Sequence, residues 1–289
     1  MEHEVEPICT TPLRDDHKDF ATLLNLMTAL IEKVAGTEIP EGQAWLNDAQ
    51  ILATKLLKQA CSLKVLVNRT SIHLPGNAVI SFIDHSSAII LARACIETFI
   101  AYHWIFNSQD RKRMEFRHGV WRLGGLMDRL GLHPSTAEAR EVMVKTQAQV
   151  DSLLPLLEIS PYLSEYSSKQ VKQLLAGNWR VGWSWAEEAE RAGFNRQYFE
   201  NVYDHFCGYA HSSYISSMQI GEAQDEADQL MLANSALQAC VHVMAMFINH
   251  HAILFPEAGE AVQHASQGQK RTLDRWSFTA ADMSHLYDK

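Results

Sequence analysis

Arg93 and Glu97 stand four residues apart in the stretch AIILARACIETFIAYHWIF. On a helix that spacing puts both on one face within reach of each other, and in so apolar a setting a charged side chain needs a partner. The pair is then a buried structural ion pair, or part of a site in which the guanidinium holds an anionic group such as phosphate, or, if the helix presents its other face to the core, an exposed pair. A second constellation runs YDHFCGYAHSS from Tyr203 to Ser213. Tyr203, Cys207 and His211 follow at successive spacings of four on one helix face, and Gly208 with the serines after His211 permits a close approach or a bend. Alone, His211 reads as a core histidine. Joined to Arg93 and Glu97 it becomes a proton carrier, its ring oriented by Glu97 while Arg93 holds phosphate. Arg93, Glu97, Tyr203 and His211 are therefore the candidate catalytic residues.

Segment 110–129 is locally basic: Arg111, Lys112, Arg113, Arg117, Arg122 and Arg129 outnumber Asp110, Glu115 and Asp128. Arg111, Arg113 and Arg117 are candidates to contact phosphate or an acidic partner surface, against the alternative of a solvated helix face. The acidic stretch 222–228 is a possible mate for it across an oligomer. Glu115 and His118 give a single Glu-x-x-His, where a di-iron bundle needs two such motifs and two further carboxylates. His250 and His251 are adjacent and cannot face one ligand from the same stripe. There is no Gly-rich phosphate loop, no Gly-x-Ser-x-Gly elbow and no paired cysteine cluster, so no metal and no cofactor is expected.

The combination of Arg93-x-x-x-Glu97 in a long apolar helix, the stretch NWRVGWSWAEEAERAG from Asn178 to Gly193, and Tyr203 followed by CGYAHSS resembles a bacterial family known only as a domain of unknown function. Members of that family have been compared with the HEPN superfamily, whose nucleases cleave RNA without metal. The resemblance covers about residues 85–215. It implies a helical bundle with a shared site around Arg93, Glu97, Tyr203 and His211. This chain departs from the family pattern in having Cys207 where a serine is expected four residues before the histidine. The HEPN nuclease signature is Arg, four to six residues, then His. Arg113 and Arg111 both match it against His118, yet 14 Arg and 14 His in this chain give about two such matches by chance. His211 has no arginine at those distances.

The elements that must position these residues are helices. Residues 15–34 carry Phe20, Leu23, Leu24, Met27, Leu30 and Ile31 at spacings of three and four, closed by Gly36. A second helix is expected over 42–67, ending before the breaker cluster His73-Leu74-Pro75-Gly76. Residues 77–107 predict a third, apolar nearly all round and hence central. Two more follow at 110–130 and 134–157. Residues 159–194 predict an insert of short helices, at about 162–176 and 185–192, with a Trp-rich loop. Asn195 caps the helix carrying Tyr203, and a last long helix spans 225–254 before a weakly patterned tail at 257–289. No strand and no internal repeat is expected. The predicted architecture is all-α: a single helical domain over 1–289, a multi-helix bundle with long central helices and a smaller insert.

Composition sets the outer limits. The chain has 289 residues, 47% hydrophobic and 20% charged, with a mean hydropathy of -0.16, which excludes intrinsic disorder. Fourteen glycines and eight prolines fall below ordinary usage and favour long helices. A net charge of -9 gives RNA no support as a partner unless a basic patch is segregated on one face, which leaves RNA open. The N-terminus, MEHEVEPICTTPLRDDHKDF, is acidic where a secretion signal is basic, so a cytoplasmic protein is expected. Five scattered cysteines read as buried reduced thiols. The apolar windows 86–106 and 230–255 contain charged and polar side chains and read as core helices, with no membrane partner. Two functions remain: an interaction or sensing module with a buried Arg/Glu/His cluster, expected to be a homo-oligomer and open to a protein partner, or a HEPN-like metal-independent ribonuclease or nucleotide-handling enzyme in stress or phage defence.

Overall fold

Side-chain caps decide where the chain turns helical. In the computed structural model, which describes residues 15–287, the Asp15 carboxylate accepts from the Lys18 amide to open α1 (Asp16–Val34). A 3-10 turn (Ala44–Leu46) leads into α2 (Asn47–Leu66). A hairpin of β1 (Thr70–His73) and β2 (Val79–Phe82) follows, and Asp84 caps α3 (His85–Phe106). Asp110 caps α4 (Arg111–Leu130) and Thr136 caps α5 (Ala137–Glu158). A 3-10 turn (Pro161–Glu165), α6 (Ser168–Leu175) and α7 (Trp185–Arg191) follow, both helices opening on capping boxes. Asn195 caps α8 (Arg196–Ala210), α9 (Tyr214–Glu222) comes next, and Asp225 caps α10 (Glu226–Leu254). The chain ends in α11 (Pro256–Gln263), α12 (Gln267–Trp276) and α13 (Ala280–Tyr287). The fold is all-α apart from the hairpin.

Two expectations are corrected. Residues 77–107 are not one helix: α3 starts at His85, and the residues before it belong to an antiparallel hairpin in which Ile72 faces Ile80 and the Ser71 and Ser81 hydroxyls meet at 2.8 Å. The breaker cluster is its turn, with Gly76 and Asn77 at positive φ. Four-residue strands are too short to show alternation, which is why the sequence hides them. The expected absence of strands is corrected with it. The weakly patterned tail forms three short helices within 256–287, docked partly through buried Asp19 of α1, which accepts from Arg275 and from the Trp276 indole at 2.9 and 2.8 Å. Cys9 and the acidic residues at 1–14 lie outside the described residues.

α3 and α10 pack on each other at the centre, with α2 and α8 against α3, and α1 and α11 against α10. Their apolarity on several sides is explained by this: Ala88, Ala92, Cys95 and Phe99 of α3, and Ala236, Cys240, Met244 and Phe247 of α10, are fully buried. Both helices are long and apolar enough to cross a membrane, and 72% of each apolar window is buried in the fold. α4 packs on α5, α3 and α6. Its Gly124 lets the Trp-rich loop sit down, since a Cβ there would lie 2.8 Å from both the Gly177 carbonyl oxygen and Trp179 Cδ1. Not every thiol is buried: Cys61 is exposed and Cys207 half-buried.

Candidate functional site

Arg93 and Glu97 lie one turn apart on the side of α3 that meets α8, and the hydrophobic spacing of α8 aims Tyr203 at them. The Arg93 guanidinium bonds Glu97 Oε1 at 2.9 Å. The Tyr203 hydroxyl donates to the same oxygen at 2.7 Å. The guanidinium also lies over the Tyr203 ring, 5.5 Å from its centroid. The pair is not desolvated as expected for a fully buried bridge: the side chains keep 21% and 31% of their exposure.

Packing fixes the phenol in place. Phe199, one turn earlier on α8, stacks on Tyr203 at 5.3 Å, and Trp185 of α7 lies at 6.4 Å. Burial, reinforced by the bond to Glu97, pushes the Tyr203 hydroxyl well above the ordinary phenol range. Burial works against charge on Arg93, but the Tyr203 oxygen and the Glu97 carboxylate outweigh it and hold the guanidinium above its ordinary value. Burial also raises the Cys207 thiol, although Arg93 and Tyr203 oppose the shift. At neutral pH the cluster therefore holds a cation, a phenol and a thiol. It contains neither a phenolate nor a thiolate nucleophile.

His211 is not part of this cluster. It is the exposed C-cap of α8, its amide bonded to the Cys207 carbonyl at 3.0 Å, and lies two turns beyond Tyr203, about 12 Å along the helix. The chain then bends: Ser212 takes a positive φ of 51, and Ser213 Oγ closes to 2.8 Å of where a Gly208 Cβ would stand. The bend read from Gly208 and the serines exists, and it falls just after His211, which stands exposed at the end of α8. Glu97 orients Tyr203 in place of the histidine.

The three candidate arginines of α4, Arg111, Arg113 and Arg117, are engaged within the chain. Arg111 bonds Gln43 and lies over the Trp45 ring. Arg113 bonds Glu165 at 2.6 Å and lies over Tyr162. Arg117 donates to the Trp104 carbonyl at 2.8 Å and lies over its indole, with burial lowering its proton affinity. Of the residues matching the nuclease spacing, His118 is buried and bonded to Asp48 at 2.7 Å. Among the described residues no three of His, Cys, Asp and Glu converge as a metal site.

Residues 51–228, more than half the chain, match the family of unknown function DUF5677. The chain belongs to that family. No curated protein and no solved structure matches it. The family region contains the whole α3–α8 cluster and the hairpin, and extends beyond the 85–215 resemblance on both sides.

This DUF5677 chain also holds polar groups that the sequence reading passed over. His103, on the third turn after Arg93, is buried and bonds Glu188 through Nδ1 at 2.7 Å, while the Asn107 amide donates to its Nε2 at 2.6 Å. Glu188 also takes Arg191 at 3.0 Å. Tyr102 and His251 meet at 2.8 Å inside the core. The available signal was a histidine inside an apolar helix, the same signal that singled out Arg93. Burial pushes His251 down to about 3 and His242 down to about 4, and His250 to about 4 with His103 adding to the effect. These histidines are neutral core groups.

Proposed function

We propose that the protein is a noncatalytic helical interaction module in which Arg93, Glu97 and Tyr203 clasp α8 to α3. One observation carries this reading: a single carboxylate oxygen of Glu97 receives both the guanidinium and the phenol, so the groups that would bind and process a substrate are spent on one another. The histidine expected to carry a proton is not among the groups bonded in the cluster, because His211 caps its helix in solvent. The surface grooves give further support. One of about 660 Å³ runs along α2, and one of about 870 Å³ lies between α1 and α12, and neither is lined by the cluster.

The competing ribonuclease reading rests on the HEPN resemblance, and no geometric observation favours it. Arg113 and His118 have separate partners, Glu165 and Asp48. The discriminating experiment is a metal-free cleavage assay on single-stranded and structured RNAs. Wild type, Arg93→Ala and His211→Ala are compared, with each variant checked for fold by circular dichroism. Cleavage by none of them is expected. Cleavage by wild type that disappears in a folded Arg93→Ala would overturn the noncatalytic reading.

A further inference from the structure

Two exposed segments carry no charged side chain in a chain where one residue in five is charged: residues 70–83, TSIHLPGNAVISFI, and residues 205–221, HFCGYAHSSYISSMQIG. The first is the hairpin. Its facing Ile72 and Ile80 are 46% and 50% exposed, and β1 and β2 pair only with each other. The second includes α9, where Tyr214 is 84% exposed, Met218 is 42% exposed and the only buried residue is Ser216.

Gln229 bridges the base of the first segment to the residue that closes α9, just past the second. Its Oε1 accepts from the Ile83 amide at 3.0 Å at the base of the hairpin, and its Nε2 donates to the Ala223 carbonyl at 3.4 Å at the end of α9. Arg69 and Glu226 tie the same corner at 3.2 Å. A two-stranded hairpin and a nine-residue helix are each marginal in water without a packed face. Here both are held at their ends with their apolar side chains uncovered.

We infer that this end of the molecule docks onto a second copy of the chain, the open strand edge of one hairpin pairing with the same edge of the other and α9 joining the contact. The inference rests on the interaction-module reading and names its partner. Antiparallel pairing of a strand edge with its own copy is two-fold symmetric, so every free donor meets a matching acceptor. Two chains of net charge -9 repel one another, which confines a self-contact to surface where charge is absent, as along 70–83 and 205–221, or already paired, as between Arg69 and Glu226. A nucleic acid, an anionic membrane or a charged protein would select complementary charge that these two segments lack. The exposed apolar side chains of the hairpin and of α9 are together on the order of the 800 Å² per partner that a stable interface takes.

The test is sedimentation velocity of the full chain across the micromolar range, with Ile80→Lys and Met218→Glu alongside. Both substituted residues are half-exposed, so circular dichroism should not change. Wild type is expected to be a dimer, and Ile80→Lys to weaken it about 100-fold by placing an unpaired charge in the contact. A wild type that stays monomeric, or a dimer indifferent to both folded variants, overturns the inference. So does a monomer that binds uncharged phospholipid vesicles through Ile80. If the chain is monomeric and cleaves no RNA, the partner is wrong while the noncatalytic reading stands. Cleavage lost in Arg93→Ala overturns that reading whatever the oligomeric state.

Discussion

Glu97 is the residue on which the cluster turns, because its one oxygen organises both Arg93 and Tyr203. Tyr203→Phe removes a hydrogen bond without disturbing the stacked ring, so it should cost about 1 kcal/mol and lower the melting temperature by about 2–4 °C. Differential scanning calorimetry measures it directly. Arg93→Ala leaves a carboxylate that still reaches water and the Tyr203 hydroxyl. Its cost should be about 1–2 kcal/mol, well under the 3–5 kcal/mol of a severed, fully desolvated pair. His211→Ala should change stability by less than about 0.5 kcal/mol in urea denaturation. A large loss there would place the histidine in the core after all. The Arg93–Glu97 contact was legible in the sequence because a four-residue spacing on one helix fixes it. The choice of Tyr203 over His211 was not, since both share a face of α8 and only the crossing of α8 on α3 separates them.

Among the elements, α4 and the Trp-rich loop fit closely, and Gly124 is one point where they touch. Gly124→Ala should be destabilising by about 1–3 kcal/mol through overpacking, against at most about 1 kcal/mol gained in helix propensity. The near-ultraviolet dichroism of the neighbouring tryptophans should change with it, since Trp104, Trp179 and Trp183 lie within 5.6 Å of one another. An unchanged tryptophan signal and a gain in stability would show that the loop yields freely. The long helices were legible in sequence because caps and apolar stripes are local: Asp110, Thr136, Asn195 and Asp225 each mark a helix start. The hairpin was not, because its strands are short and exposed, and the helices after Phe255 lack a strong stripe.

For the molecule as a whole, the core histidines make stability depend on pH. His242 and His251 are buried and neutral, with folded affinities near 4 and 3. Since these lie below the unfolded value of about 6.5, the unfolded chain takes up protons first as pH falls. Stability is therefore full above about pH 6.5 and declines through the window down to about pH 4 for His242 and about pH 3 for His251. By the bottom of its range His242 withdraws on the order of 3 kcal/mol and His251 on the order of 5 kcal/mol. Urea midpoints measured across that window should fall with pH, and His242→Phe should reduce the slope by up to one proton. A flat profile would mean that these histidines titrate as freely in the folded chain as in the unfolded one. By itself the sequence determined the helical class, the apolar central helices and the contact of Arg93 with Glu97, because caps, periodicity and four-residue spacings act along one stretch of chain. Only the tertiary structure decided that Tyr203 completes the cluster, that His103 meets Glu188 across 85 residues, and that two uncharged segments share one exposed end. Those contacts depend on how separate helices cross, and the free energy that selects a crossing is spread over the whole core.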